Sequence, residues 1–240
     1  MKICAAQTKP VKGNIQTNIV NHKKLIDLAI SNGADIIIFP ELSLTGYEPG
    51  LAKELATDLT DKRLEDFQHT SNTRKIIIGV GMPLKNKDGI SISMILFQPH
   101  QPRQVYSKKY LHADEEPFFI SGESSVDLLD NNIALAICYE ISVPEHSSNA
   151  FKRGAEIYIA SVAKSISGVE KAVETLSAIA DKYSMTVVMS NCIGYCDNFD
   201  CGGKTSAWNN KGSLIAQLND TNEGILIVDT DTAGFVKKMI

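Results

Sequence analysis

Apolar residues follow two rhythms along this chain, and the order of the rhythms repeats. Residues 3–7 form a short run without charge, the pattern of a strand covered on both faces. From Asn14 onward, Ile15, Ile19, Leu25, Ile26 and Ala29 recur at helical spacing, with Asn14 as the N-cap and Gly33-Ala34 as the stop. Asp35-Ile36-Ile37-Ile38-Phe39 is a second strand, running into Pro40-Glu41. The chain then goes through the same order from Ile133. Residues 133–138 are a strand, 143–153 a shorter helix, Gly154-Ala155 its stop, and 156–160 the next strand. Residues 75–81 and 185–191 are β-rich, each after a helix. The second of these helices is set out by Val169, Ala172, Val173, Leu176, Ile179, Ala180 and Tyr183. Hairpin-like strands follow in each half, over 90–106 and 204–217, with turns at Lys87-Asp88-Gly89 and Asn209-Asn210-Lys211-Gly212. A last strand, 224–229, precedes a short tail. No low-complexity linker separates the halves, so residues 1–240 are expected to form one domain. Two βα-type halves imply an α/β fold in which two sheets face each other with helices outside.

Composition excludes more than it identifies. The chain has 43% apolar and 22% charged residues, as an ordinary globular protein does. A net charge of −4, with scattered Lys and Arg, gives no footprint for nucleic acid. No apolar run reaches the roughly 18 residues of a membrane span. The start Met1-Lys2-Ile3-Cys4-Ala5-Ala6-Gln7 reads as a strand rather than a signal peptide. Five cysteines, an odd number spread through a large core, argue against a secreted disulfide framework, so a cytoplasmic location is expected.

Chemistry gathers where apolar runs end. Glu41 follows residues 36–39, Lys108 follows Val105-Tyr106, and Cys138 closes Ile133 to Ile137. In open α/β sheets, ligands bind outside the carboxyl ends of strands. A cysteine attacks as thiolate, so it needs a proton acceptor or a nearby positive charge; Glu41 can supply the first and Lys108 the second. Taken alone, Cys138 reads as an inert buried thiol, Glu41 as a loop or capping acid, and Lys108 as a surface charge. No histidine sits at an informative position: His22 lies in a helix, His69 and His100 near element ends, and His112 and His146 in loops.

Phe39-Pro40-Glu41-Leu42-Ser43-Leu44-Thr45-Gly46-Tyr47, Tyr106-Ser107-Lys108-Lys109-Tyr110-Leu111 and Ile137-Cys138-Tyr139-Glu140 resemble, in order and spacing, the three signature regions of the nitrilase superfamily of carbon–nitrogen hydrolases. Gly194, Gly202-Gly203 and Ser206-Ala207-Trp208 resemble its late segment. The resemblance implies a four-layer αββα sandwich with an internal pseudo-two-fold repeat, in agreement with the duplicated plan. It also implies catalytic roles for Glu41 as general base, Lys108 as charge stabiliser and Cys138 as nucleophile. Lys109 competes with Lys108, and the family's lysine-to-leucine spacing, ending at Leu111, selects Lys108. A further glutamate beyond the lysine is implied at Glu115, counted back from Gly122, with the adjacent Glu116 as the alternative. Tyr47, Glu116 and Tyr139 are expected to face substrate.

The expected reaction is hydrolysis of a small amide through a cysteine thioester, releasing acid plus ammonia or an amine. No cofactor or metal is expected, and homodimers or larger homo-oligomers are. A nitrilase, an N-carbamoyl hydrolase and a noncatalytic interaction protein that kept the fold are the alternatives. Cys192, Cys196 and Cys201 have C-x3-C-x4-C spacing, whereas zinc sites show tighter pairs with a fourth ligand, so metal is the minor reading of them and a thiol-redox or metal-binding protein using these cysteines is a further alternative. Gly79-Val80-Gly81 is no nucleotide fingerprint, because Met82-Pro83 and a hairpin follow it rather than a helix. The chain departs from the family's common pattern at Ile141-Ser142-Val143, which lacks an arginine, at Tyr110, where many members carry histidine, and at Ser161-Val162-Ala163-Lys164, a segment near substrate. Little chain follows Asp229, so any C-terminal extension that steadies a dimer is expected to be minimal.

Overall fold

A computed structural model describes residues 1–240. The first half runs β1 (Lys2–Gln7), α1 (Ile15–Ser31), β2 (Ile36–Ile38), α2 (Ala52–Leu55), α3 (Glu65–Arg74), β3 (Ile77–Asn86), β4 (Gly89–Phe97) and β5 (Gln104–Ser107). The second half runs β6 (Ile133–Ile137), α4 (Pro144–Lys152), β7 (Ile157–Ser161), α5 (Ile166–Tyr183), β8 (Thr186–Ser190), then six further strands. These are β9 (Ile193–Cys196), β10 (Phe199–Gly202), β11 (Ser206–Trp208), β12 (Leu214–Gln217), β13 (Gly224–Asp229) and β14 (Phe235–Met239). No helix is long and apolar enough to cross a membrane.

Local signals place the long helices. The Asn14 side chain accepts from Thr17 N at 3.1 Å and starts α1, while the Ser165 hydroxyl accepts from Gly168 N at 3.0 Å and starts α5. The strands then assemble twice over by one scheme. In each half, three strands pair in parallel (β1-β2-β3 and β6-β7-β8), and two more continue antiparallel (β4-β5 and β11-β12). Strand period sorts the faces. Ile3, Ala5, Ile36 and Ile38 share one core with Ile133, Leu135, Ile157 and Ile159 of the other sheet. Cys4, Ala6 and Ile37, pointing the other way, pack with Ile19, Leu25 and Ile26 of α1. The result is helix, sheet, sheet, helix.

Several elements differ from the sequence expectation. Residues 235–239 are a strand rather than a tail: β14 pairs with β13, which itself returns to pair antiparallel with β1. Its run of Phe-Val-Lys-Lys-Met is too polar to be read as buried, which suits an edge strand. The β3 strand extends through Pro83, since the three residues of β2 pair only with Ile77 to Gly79 and leave no ladder bond for the proline to lose. The hairpin β9-β10, inserted between β8 and β11, has no counterpart in the first half, where Lys87 and Asp88 turn β3 directly into β4. Finally, β6 ends at Ile137, one residue earlier than expected, and Cys138 opens a short 3₁₀ turn.

Candidate active site

Three strand ends deliver three side chains to one buried spot. Glu41 lies on the tight turn after β2, where Ser43 N donates to Pro40 O at 3.1 Å and Thr45 N to Leu42 O at 3.0 Å. That turn lies against β3 at Gly81, where a Cβ would come within 2.3 Å of Leu42 N and 2.6 Å of Pro40 O, so only glycine admits it. Behind the turn, Ser43 Oγ accepts from Gly81 N at 3.2 Å and lies 2.9 Å from His22 Nε2. The His22 ring stacks on Phe39, and burial pulls it down to about 3, so it is a neutral prop. Lys108 follows β5 directly, with its N–H on Ile92 O at 2.8 Å and its carbonyl accepting from Gly122 N at 3.0 Å. Gly122 is itself wedged against Ser107, where a Cβ would sit 2.4 Å from that side chain's own Cβ. Cys138 has φ +44°, an uncommon conformation for a non-glycine residue and one that clusters at functional sites.

Lys108 Nζ, fully buried, donates to Glu41 Oε1 at 2.8 Å and to Glu115 Oε1 at 2.6 Å. Glu115 is held in turn by the Tyr47 hydroxyl at 3.0 Å and by His112 N at 2.8 Å on its other oxygen. Glu41 Oε2 is buried and has no hydrogen-bond partner. Such orphans are rare in folded proteins because desolvation is then uncompensated, and a carboxylate oxygen left free in this way can accept a proton. Burial pushes Glu41 up to about 7; the Lys108 charge opposes this and the Glu115 charge adds to it. Burial and the Glu41 charge push the Cys138 thiol up to about 11, against the pull of Lys164 and Lys108. Burial alone would depress Lys108, but Glu41, Cys138 and Glu115 raise it above its ordinary value. At neutral pH the cysteine therefore rests as a thiol beside a fixed ammonium, and attack requires its proton to move.

The remaining expected residues divide. Lys109 points outward over the Tyr110 ring, and Glu116 is exposed, touching none of the cluster. Tyr139 is half-buried, its ring edge-on to His112 at 5.2 Å. Tyr47 is buried on Glu115. Two residues escape the sequence reading. Glu140, fully buried, accepts from Ile137 N at 2.8 Å, Lys109 N at 2.8 Å and the Tyr106 hydroxyl at 2.7 Å. One carboxylate thus ties together the backbone next to Cys138 and next to Lys108. The signal was available: an acid this close to a buried strand end must find donors. The other is Lys164, whose backbone N–H donates to Asn191 Oδ1 at 2.9 Å and whose neighbour's carbonyl, Ala163 O, is 4.0 Å from Cys138 Sγ. Its ammonium forms no ion pair, and its charge, like that of Lys108, pulls the Cys138 thiol down.

A cavity of about 740 Å³ does not contain Glu41, Lys108 or Cys138; it is lined by Tyr106, Tyr110, Ser124, His146 and Arg153. As for metals, the cluster Glu41–Lys108–Glu115 has its ammonium where a cation would sit. The sulfurs of Cys192, Cys196 and Cys201, all buried in the core, lie within 4.8 Å of one another.

The carbon–nitrogen hydrolase family profile matches residues 2–237. Among curated proteins, the chain is 26% identical over 244 residues to a glutamine-dependent NAD(+) synthetase of Thermotoga maritima, covering 96% of this chain but 42% of that one. It is 22% identical to a nitrilase of Pyrococcus abyssi, over 96% of this chain and 90% of the relative. The chain thus spans less than half the length of the NAD(+) synthetases it matches. Among solved structures it is similar, at TM-score 0.84 and 23% identity over 95% of this chain and 90% of the other, to an amidase variant from Nesterenkonia sp. AN1. In that protein the acetamide moiety of fluoroacetamide is covalently added at the active-site cysteine. At this identity the likeness is one of fold. The chain belongs to the carbon–nitrogen hydrolase family of the nitrilase superfamily.

Proposed function

We propose that this carbon–nitrogen hydrolase is an amidase that cleaves small carboxamides through a thioester on Cys138. The observation that carries this reading is the buried Glu41 oxygen without a partner, on a carboxylate whose other oxygen is held by Lys108. In the first step the Cys138 sulfur bonds to the amide carbon as its proton passes to Glu41. The carbonyl oxygen takes the electron pair and is met by the Lys108 ammonium and the Tyr139 backbone N–H. Collapse breaks the C–N bond, and the leaving nitrogen takes the proton from Glu41 and departs as ammonia or amine. Water then attacks the thioester and gives a proton to Glu41; breaking the C–S bond releases the acid and returns that proton to sulfur. Splitting one hard displacement into two easier ones is the advantage of the covalent route. Glu115 and Tyr47 keep Lys108 aimed, and Glu140 sets the spacing between Lys108 and Cys138.

One point favours amides over nitriles. The NAD(+) synthetases that the chain matches are named for dependence on glutamine, whose side chain ends in a primary carboxamide. The unpaired Lys164 favours an acyl chain that ends in an anion. Mixing the protein with a panel of amides, nitriles and N-carbamoyl compounds, followed by intact mass and ammonia detection, tests the reading. An acyl adduct is expected with amides, and both adduct and turnover disappear in Cys138→Ala. Turnover that survives Cys138→Ala would end the proposal. For Lys164→Met, KM is expected to rise for a dicarboxylic acid monoamide and not for a neutral amide of equal length.

A further inference from the structure

The hairpin β9-β10 carries a second cluster of sulfur, separate from the proposed chemistry. Register explains why its members meet. Cys201 on β10 pairs opposite Gly194 on β9, and Cys192 and Cys196 lie two residues to either side of that glycine. Alternation along a strand puts positions 192, 194 and 196 on one face, so Cys201 faces a gap flanked by two thiols. The Cys201 sulfur is 3.0 Å from that of Cys192 and 2.7 Å from that of Cys196, and all three cysteines are free and buried. Diagonal partners in an antiparallel pair stand about 7–8 Å apart, whereas an unstrained disulfide wants Cα atoms about 4.4–6.8 Å apart. A disulfide would in any case use two sulfurs and strand the third. An ion with metal–sulfur bonds of about 2.3 Å uses all three.

We propose that Cys192, Cys196 and Cys201 form a three-thiolate site for a soft d10 cation that locks the two strands of the β9-β10 hairpin to each other beside the active site. Thiolates select soft ions such as Cu(I) and Zn²⁺ over hard ones. The hairpin is already tied to its surroundings by Gly202 N on Lys164 O at 2.8 Å and Asp197 N on Glu48 Oε1 at 3.1 Å. Its Phe199 ring lies 5.8 Å from that of Tyr47, which holds Glu115. An ion in the cluster would therefore stiffen the layer that backs Tyr47. The site does not depend on the reaction proposed for Cys138.

The test uses the full chain carrying Cys138→Ala, reduced, so that the Cys138 thiol cannot bind the probe. Titration with Cd²⁺ is expected to give a sulfur-to-cadmium charge-transfer band that saturates at one equivalent. It is expected to protect three thiols from alkylation, and Zn²⁺ competes for the site. Cys201→Ala abolishes the band, Cys192→Ser and Cys196→Ser weaken binding at least tenfold, and Cys4→Ala leaves it unchanged. Should Cys201→Ala fail to fold, stoichiometry and thiol protection in the parent chain decide. The proposal is overturned by the absence of a saturating band, by a band that persists in folded Cys201→Ala, or by a 2 Da mass deficit showing two of the three sulfurs joined as a disulfide.

Discussion

The two halves of this molecule are built alike and carry different side chains at matching strand ends. Aligning the paired residues Ile3 and Ile36 with Ile133 and Ile157 puts Thr8 where Cys138 stands, and Val162 where Glu41 stands. The first half thus offers a carboxylate after its second strand and the second half a thiol after its first. Each half's equivalent of the other's reactive group is inert. A pseudo-symmetric frame supplies strand ends that converge, and single residues decide which ends are reactive. The hairpin makes a second difference. In the first half Lys87 and Asp88 close β3 onto β4, whereas the second half inserts β9-β10 and, with it, three cysteines. Thr8 also leaves a trace of the asymmetry: its buried hydroxyl has no hydrogen-bond partner.

Substitutions at these strand ends break or sharpen the comparison. The largest effect is expected for Lys108→Met, which removes the ammonium shared by Glu41 and Glu115. Losing such an oxyanion partner costs about 10²–10³-fold in kcat, measured by steady-state ammonia release, and a rate near that of the parent would remove Lys108 from the chemistry. Next comes Glu140→Gln, which joins the halves through backbone donors rather than through substrate. A misplacement of the reacting groups of this kind is worth about 10²-fold. The fall is expected in kcat with KM held, while an equal change in KM would point to a binding role instead.

The pH dependence is gentler. In the proposed mechanism Glu41 must be ionised to take the thiol proton, and burial pushes it up to about 7. Below that pH the fraction of ionised base falls, so kcat/KM is expected to drop about tenfold per unit and to level off above it. Because the Glu115 charge raises Glu41, Glu115→Gln is expected to move the midpoint down, and a midpoint that moves up would contradict the assignment. The smallest effect belongs to the inert counterpart. Thr8→Val replaces an unsatisfied hydroxyl by a methyl group and is expected to leave kcat alone while stabilising the fold by about 1 kcal/mol in denaturant titration. A loss of activity there would show that the two strand ends are not as different as the alignment makes them.

Much of the fold is legible along the chain because its signals are local. The caps Asn14 and Ser165, the apolar spacing of α1 and α5, and the uncharged runs of residues 3–7, β2, β6 and β7 need no distant partner to be read. The strand β14 and the hairpin β9-β10 are not legible in this way, since both are short and partly polar and gain their bonds from a neighbour. Adjacent pairs are harder still. Lys108 and Lys109, or Glu115 and Glu116, differ by one position, and a rule of spacing can choose between them only by analogy. Burial makes the choice: Lys108 and Glu115 turn inward to each other, and their neighbours turn to solvent.

The sequence by itself determined the types of chemistry present and the order of elements that carries them, because residue type and local periodicity are properties of short stretches. Tertiary structure decided which atoms meet. Lys108 reaches Glu41 across 67 residues of chain, and Glu140 ties the Lys108 segment to the Cys138 segment across 31. The same holds for Cys192, Cys196 and Cys201, whose linear spacing leaves metal the minor reading. Strand pairing sets positions 192 and 196 diagonally about Cys201, and only that register turns three separate thiols into one cluster.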